Sequence, residues 1–430
     1  HIEVVDTFHY DVLRDYYHKW YRPDLQGIIV VGDINVDEIE AKIKSLFNDD
    51  SVPAGAPQRT YYTVPDNKEM IVYTQADKEQ PTLNFSLYMK HDAEPRETRA
   101  TREAFLGSYK SKLAMFILRQ RLAQLSHEAQ PRVMSASCRA GSFYVTTEKD
   151  AFALNIGLMP NDPQAGIDAA IEIVEKARRY GFTEAELEHA KVQHTVNIEH
   201  RLDNKDKTRN AEYAKNIVSN FCSDEPCMNI EYEAALEAEF SASVTLDDIN
   251  ETMKEMADNQ NQVCIVFGPT EYDGKPYTMP SADQFKSWIE NAQKQEYAND
   301  NASRQVDPVF MKKLPKKGKI ISKHTAANGY IEYLLSNGIK VSARQSDIEP
   351  NRLTINMFRM GGRSLYPDTD APTLQFLGSV VKESGAADFD FLTLEKKRRG
   401  KALRVVPYID SEEEGVKGVC GHPTLRRGCR

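Results

Sequence analysis

Apolar residues alternate with polar ones, or run on almost unbroken, over 72–77 and 83–89 and again over 340–347 and 353–360. Each stretch predicts a pair of β-strands. A helix-like passage follows each pair, and both carry the same four residues: Phe105-Leu106-Gly107-Ser108 and Phe376-Leu377-Gly378-Ser379. Asp77 precedes Phe105 by 28 residues and Asp347 precedes Phe376 by 29, so the passages keep register within one residue. A second pattern also occurs twice. Asp11-Val12-Leu13-Arg14 leads to a strand pattern over 27–33, and Asp247-Asp248-Ile249-Asn250 leads to another over 262–269. In both, 21 residues separate the first Asp from a Gly, Gly32 or Gly268. Asn35 with Glu38 forms a capping-box pattern, and Ile39, Ile43, Leu46 and Phe47 give a helical apolar stripe.

Repeats spaced by 236 to 271 residues are duplicated domains rather than a solenoid. The second pattern reads as the end of a module and the first as a beginning, so the order along the chain is end, beginning, end, beginning. Between them, 151–159 reads as a strand, and Ile167, Ala170, Ile171, Val174 and Ala177 line one helical face. Gly181 stands at a C-cap position, and Thr183 with Glu186 opens the next helix as a capping box. Strands followed by packed helices predict an α+β fold of repeated two-layer modules, antiparallel sheet with helices on it. The expected division is a module tail over 1–59, a complete module over 60–294, a linker over 295–329 and the head of a third module over 330–430. A Pro/Gly/Ala break at 51–57 and a long polar stretch carrying Asn299, Asn301, Pro308, Pro315 and Gly318 mark the joins.

Composition narrows the functions. At 430 residues and 40% hydrophobic content the chain can bury more than one core. A net charge of -9 argues against a nucleic-acid partner, because phosphate binding wants a basic face. The basic runs Lys312, Lys313, Lys316, Lys317 and Lys319, and 396–399, read as solvated charge. No apolar stretch reaches the roughly 20 residues a membrane-crossing helix needs, and the first residues lack the order of a signal peptide. The compartment stays open.

Tyr21-Arg22-Pro23-Asp24 followed by 27–33, Phe182-Thr183-Glu184-Ala185-Glu186-Leu187 running on to Lys191, and Ser336-Asn337-Gly338-Ile339-Lys340-Val341 resemble the pitrilysin/insulinase family of zinc metallopeptidases. The resemblance extends to about Gly418. It implies paired modules closing as a clamshell around peptide, with a linker between halves. It also implies an HxxEH zinc motif on the first helix of an active module, a further Glu downstream as third ligand, and the motif's Glu as general base. Laid over that helix, the HxxEH positions fall on Ala104, Phe105, Leu106, Gly107 and Ser108, and on Gln375, Phe376, Leu377, Gly378 and Ser379. Both His and the Glu are missing from each.

Other candidate ligands read as incidental. His189, His194 and His200 share a predicted helix, and Val196-Asn197-Ile198-Glu199-His200 lacks the motif's first His. His189 and His194 are about 140° apart around a helix, while His189 and His200 are roughly 16 Å apart along it, so no two can chelate one ion. All three are expected to be surface histidines. Cys222 and Cys227 are not a CxxC pair, and six cysteines are too few for a disulfide framework. Cys420, His422 and Cys429 have metal-binding residue types, but 419–430 departs from the family pattern, which would continue into a helix after Gly418. Ser379 lacks a GxSxG elbow, and Gly361-Gly362 reads as a bend.

No catalytic, cofactor-binding or metal residue is therefore assigned. The expected function is a fragment of a zinc metalloendopeptidase that supplies non-catalytic chamber wall and peptide-binding modules. Zinc belongs to the parent protein and none is expected in this chain, which alone is expected to be inactive. Expected partners are peptide or unfolded protein, an upstream catalytic module, and the unfinished half-modules themselves, which could associate. The alternative is a catalytically dead structural or assembly protein derived from the peptidase fold. The upstream sequence, with or without HxxEH, separates the two.

Overall fold

The computed structural model describes residues 2–48, 51–128, 130–144, 146–304, 316, 318–346, 352–386, 389–391, 393–394 and 403–421. Helices α1 (Ile2–Thr7), α2 (Tyr10–Trp20) and α3 (Val36–Phe47) come first. Strands β1 (Ile71–Asp77) and β2 (Leu83–Asp92), helix α4 (Arg102–Leu122), and strands β3 (Val133–Ser142) and β4 (Lys149–Leu158) follow. Five helices come next: α5 (Pro163–Tyr180), α6 (Glu184–Asp203), α7 (Asn210–Ser223), α8 (Ile230–Ser243) and α9 (Leu246–Met256). The chain then returns through β5 (Gln262–Pro269), the hairpin β6 (Glu271–Tyr272) and β7 (Lys275–Pro276), and α10 (Ala282–Lys294). Beyond it lie β8 (Ile320–Thr325), β9 (Ile331–Leu335), β10 (Lys340–Ala343), β11 (Arg352–Met360), α11 (Ala371–Glu383), β12 (Leu403–Ile409) and β13 (Glu413–Gly421).

The main body is a five-stranded sheet in the order β1-β5-β2-β4-β3. It is antiparallel except at one edge, where β1 runs parallel to β5. Alternation along β2 sends Leu83, Phe85, Leu87 and Met89 to one face, directly opposite Leu158, Ile156, Leu154 and Phe152 of β4. That face is covered by α4, α5, α9 and α10, whose Leu113, Leu118, Ile167, Ile171, Ile249 and Ile289 are buried in the same cluster. Each such fully buried side chain contributes about 1.5–3 kcal/mol. On the other face, among the described residues, a small cluster centres on Tyr88, Ala151 and Ala153, with Phe143, Val263 and Ile265 packed against it and no helix residue in it.

Local signals hold where the sequence carries both halves of the interaction. Thr183 and Glu186 form a complete capping box, and Gly181 ends α5 with φ +69°. The Asn35 side chain caps α3, but Glu38 returns to the Asn35 side-chain amide rather than to its backbone. The strand expected at 27–33 is not formed. Ile28 and Val30 are 49% and 47% exposed, in a segment with no ladder partner among the described residues. The same pattern at 262–269 is β5, paired on both sides by β1 and β2. An extended run becomes a strand only where other strands take its hydrogen bonds. Residues around Gly27 instead lie against α7, where a Cβ on Gly27 would come within 2.9 Å of the Phe221 ring.

The expected linker is structured at both ends. At its start, Tyr297 accepts from the Tyr180 hydroxyl at 2.5 Å, and the Asn301 amide donates to the Tyr180 carbonyl at 3.1 Å. At its end, β8 begins at Ile320 and joins β9 and β10 in an antiparallel meander. Lys312, Lys313, Lys317 and the run at 396–399 lie outside the described residues. The last sheet, β11-β13-β12, carries α11 against β12. His127 Nδ1, 3.1 Å from Glu383 of α11, ties this part to the main body.

Candidate functional site

Thr101 starts α4 by accepting the Ala104 amide at 3.2 Å, which fixes the 104–108 string in the first turns of the helix. Phe105 turns inward onto Phe240, 5.8 Å between ring centroids. Ala104 and Ser108, one turn apart, line a cavity of about 520 Å³, and Lys112 continues the line with its ammonium 5.4 Å from the Phe105 ring. Arg99 closes one side by donating to the carbonyls of Glu94, Thr147 and Ser223 at 2.8, 2.6 and 3.1 Å. Asp150 of β4 also lines the cavity, and burial pushes its carboxyl above the usual range. A zinc site of the HxxEH type needs two imidazoles and a carboxylate on this helix face. The chain supplies a methyl at Ala104, no side chain at Gly107 and a hydroxyl at Ser108, which does not fit zinc.

The second string lies on α11. Phe376 is 60% exposed, and Gly378 sits close to β12, where a Cβ would meet the Pro407 carbonyl at 3.3 Å. The adjoining cavity of about 380 Å³, between α11 and its sheet, is lined chiefly by apolar groups such as Met357, Leu377 and Val381. Ser379 is exposed. Gly361 and Gly362 form a bend, φ +138° and +56°, in which a Cβ on Gly362 would lie 2.4 Å from the Asp410 carbonyl.

The histidines of α6 are not all at the surface. His194 Nδ1 stands 3.0 Å from Glu237 Oε2 of α8, outside hydrogen-bond alignment, and its ring meets Tyr109 edge-on at 5.1 Å. His189 packs on Phe116 of α4, 5.4 Å between centroids. The expectation of three surface histidines is corrected for these two; the helix turns them toward α4 and α8, and only His200 faces solvent. The signal was available in the spacing of Leu187, Ala190 and Ile198, the buried residues that flank them.

Cys222 and Cys227 are exposed, while Cys138 and Cys264 are buried. Burial pushes the Cys138 thiol up to about 12 and the Cys264 thiol up as well, so neither is a thiolate near neutrality. Cys420 is buried in β13, and that strand runs through to Gly421, past the point at Gly418 where the family pattern would turn into a helix. His422 and Cys429 lie outside the described residues. Among the described residues no three His, Cys, Asp or Glu side chains are grouped to hold a metal ion, and no helix is long and apolar enough to cross a membrane.

A five-stranded sheet covered on one face by helices, with α4 following β2 and carrying no imidazole or carboxylate at 104, 107 and 108, defines a two-layer α+β unit. Residues 7–193 match the Peptidase M16 inactive domain, and the chain, which carries no HxxEH motif, is similar to zinc proteases of the pitrilysin/insulinase type. The matched stretch runs from the end of α1 into α6, across the expected boundary at residue 59. The "Probable zinc protease PqqL" of Haemophilus influenzae is 23% identical over 429 residues, covering 97% of this chain and 44% of that protein. In fold, the periplasmic protease PqqL from Escherichia coli superposes with a TM-score of 0.60 at 17% identity, covering 99% of this chain and 46% of that one. The ferredoxin protease FusC, solved with Arabidopsis ferredoxin, gives a TM-score of 0.58 at 17% identity over 98% of this chain and 46% of that one. The chain spans less than half the length of these relatives.

Proposed function

We propose that this chain supplies the non-catalytic, peptide-holding part of a pitrilysin-family zinc endopeptidase. In this reading, 1–59 is the tail of an active-type module, 60–294 a complete inactive module, 295–329 the join between halves and 330–430 the head of another inactive module. Hydrolysis and zinc belong to a module outside these residues. The observation that carries the reading is the 104–108 turn of α4, which faces a cavity without an imidazole or carboxylate at the three ligand and base positions. The relatives named as zinc proteases, and the one solved with a protein bound, support a peptide or protein as the object held. The edge strands β1 and β3 offer unpaired backbone to an extended peptide, a mode in which main-chain hydrogen bonds supply affinity with little demand on sequence.

The test is to bind a labelled, extended peptide to the purified chain in the presence of zinc and follow anisotropy and cleavage together. Saturable binding without hydrolysis is the expected result. Chelator-sensitive hydrolysis would overturn the reading, and so would failure to bind, which points to a purely structural role. The half-covered apolar faces of α11 and β11 are further proposed to associate with another protein surface, since Ile355, Met357, Phe376 and Val380 are all more than half exposed.

A further inference from the structure

The free edge β3 borders the Tyr88 face of the main sheet. By alternation with the inward Ala136 and Cys138, its Ser135, Ser137, Arg139 and Gly141 point to that face. Register carries the face inward across the sheet: Arg139 stands opposite Ala153, and Ala153 opposite Tyr88. The next row is Ser137, Asn155 and Ser86, and the one beyond is Ser135, Gly157 and Asn84. In a chain of 28% charged residues, Arg139 is the single formal charge in these three rows.

Two features break the flatness. Tyr88, Phe143 and Tyr144 form a three-ring platform, with centroids 5.4, 5.4 and 5.0 Å apart, and Tyr144 is 53% exposed on a left-handed backbone, φ +55°. A non-glycine residue is held there at a cost, and here it projects an aromatic ring beside the edge. Beside the platform, Gly141 has nothing within 4 Å of its missing Cβ, so open space stands over it. Arg139 is exposed, rests its guanidinium 5.9 Å from the Tyr88 ring, donates only to the Ser142 carbonyl, and faces no carboxylate among the described residues.

We infer that an extended peptide pairing with β3 is selected for an acidic side chain opposite Arg139 and an aromatic side chain two residues away, over Gly141 and against Tyr144. The inference rests on the proposed peptide-holding function and adds its specificity. Residues two apart on an added strand share a face, so one peptide places both side chains on the open face at once. Directly opposed charges attract, and aromatic pairs gain beyond their buried area.

Anisotropy titrations of the full chain would use short, labelled, β-prone peptides with Asp-x-Phe, Lys-x-Phe or Asp-x-Gly at the centre. Each is made with and without N-methylation of the amides that would face the edge. Asp-x-Phe is expected to bind about fivefold or more tightly than either of the others, and N-methylation to abolish the difference. Arg139→Glu should reverse the charge preference. Tyr144→Asn, which tolerates the left-handed backbone, should erase the Phe preference and leave the charge preference. Equal affinity for all three sequences, still sensitive to N-methylation, would overturn the specificity while leaving edge binding standing. A preference insensitive to N-methylation would overturn the β3 register. No binding by any peptide would overturn both this inference and the function beneath it.

Discussion

Replacing Glu186 by Gln removes the charge that locks α4 to α6. Arg121 donates from Nε and Nη2 to the two Glu186 oxygens at 2.9 and 2.7 Å, with side chains only 2% and 10% exposed. The same carboxylate accepts the Thr183 amide at 2.9 Å and its hydroxyl at 3.0 Å, so one group both caps α6 and pairs with α4. Burial pushes the Glu186 carboxyl up, but the Arg121 hydrogen bonds and charge, with the Thr183 amide, outweigh it and hold the carboxyl below its ordinary value. Gln keeps the shape, leaves a buried guanidinium without its countercharge and turns an N–H toward one of its donors. Breaking one side of a buried pair costs about 3–5 kcal/mol. Asn301 still accepts from Arg121 at 3.1 Å, which puts the expected loss near about 3 kcal/mol. Because the folded carboxyl is depressed, its stabilisation is complete above the ordinary Glu value of about 4.3 and is lost as pH falls through the folded value. Urea unfolding of wild type and Glu186→Gln, followed by circular dichroism near neutrality and in acid, should show the gap narrowing in acid. A gap below about 1 kcal/mol at neutrality, or one that does not narrow, refutes the reasoning. The double change Arg121→Met with Glu186→Leu should cost less than Glu186→Gln alone, since it leaves no buried charge.

Gly181→Ala should destabilise by about 2 kcal/mol in the same unfolding assay, because its φ is +69° and a Cβ there would lie 2.4 Å from the Asn250 side chain that holds the Phe182 amide. Light scattering should show the chain associating more as concentration rises, and Met357→Lys with Val380→Lys should reduce the association; a monomer at every concentration would contradict the proposed role of those faces.

What could be read from residue order was whatever the sequence decides locally. The stripe from Ile167 to Ala177, the cap at Gly181, the box at Thr183 and Glu186, and the strands that became β4 and β11 all rest on neighbours within a few positions. Missed features depend on distant partners. The 27–33 pattern matches that of β5 but has no strand beside it among the described residues, while the parallel pairing of β1 with β5 joins residues nearly two hundred positions apart. The pairing of Arg121 with Glu186 and the inward turn of His194 onto Glu237 likewise join separate helices. The candidate site was half legible. Its missing ligands at Ala104, Gly107 and Ser108 are plain in the sequence, whereas the cavity that Ala104 and Ser108 line is assembled by Arg99, Asp150 and the residues around Cys227, which no local pattern connects.

The central claim is that this chain holds peptide and does not cut it. The most direct measurement is to incubate the purified chain with zinc and an internally quenched peptide, with and without chelator, while anisotropy of the same peptide reports binding. The account predicts binding and no chelator-sensitive rise in fluorescence. Cleavage that scales with the chain and stops on chelation would contradict it.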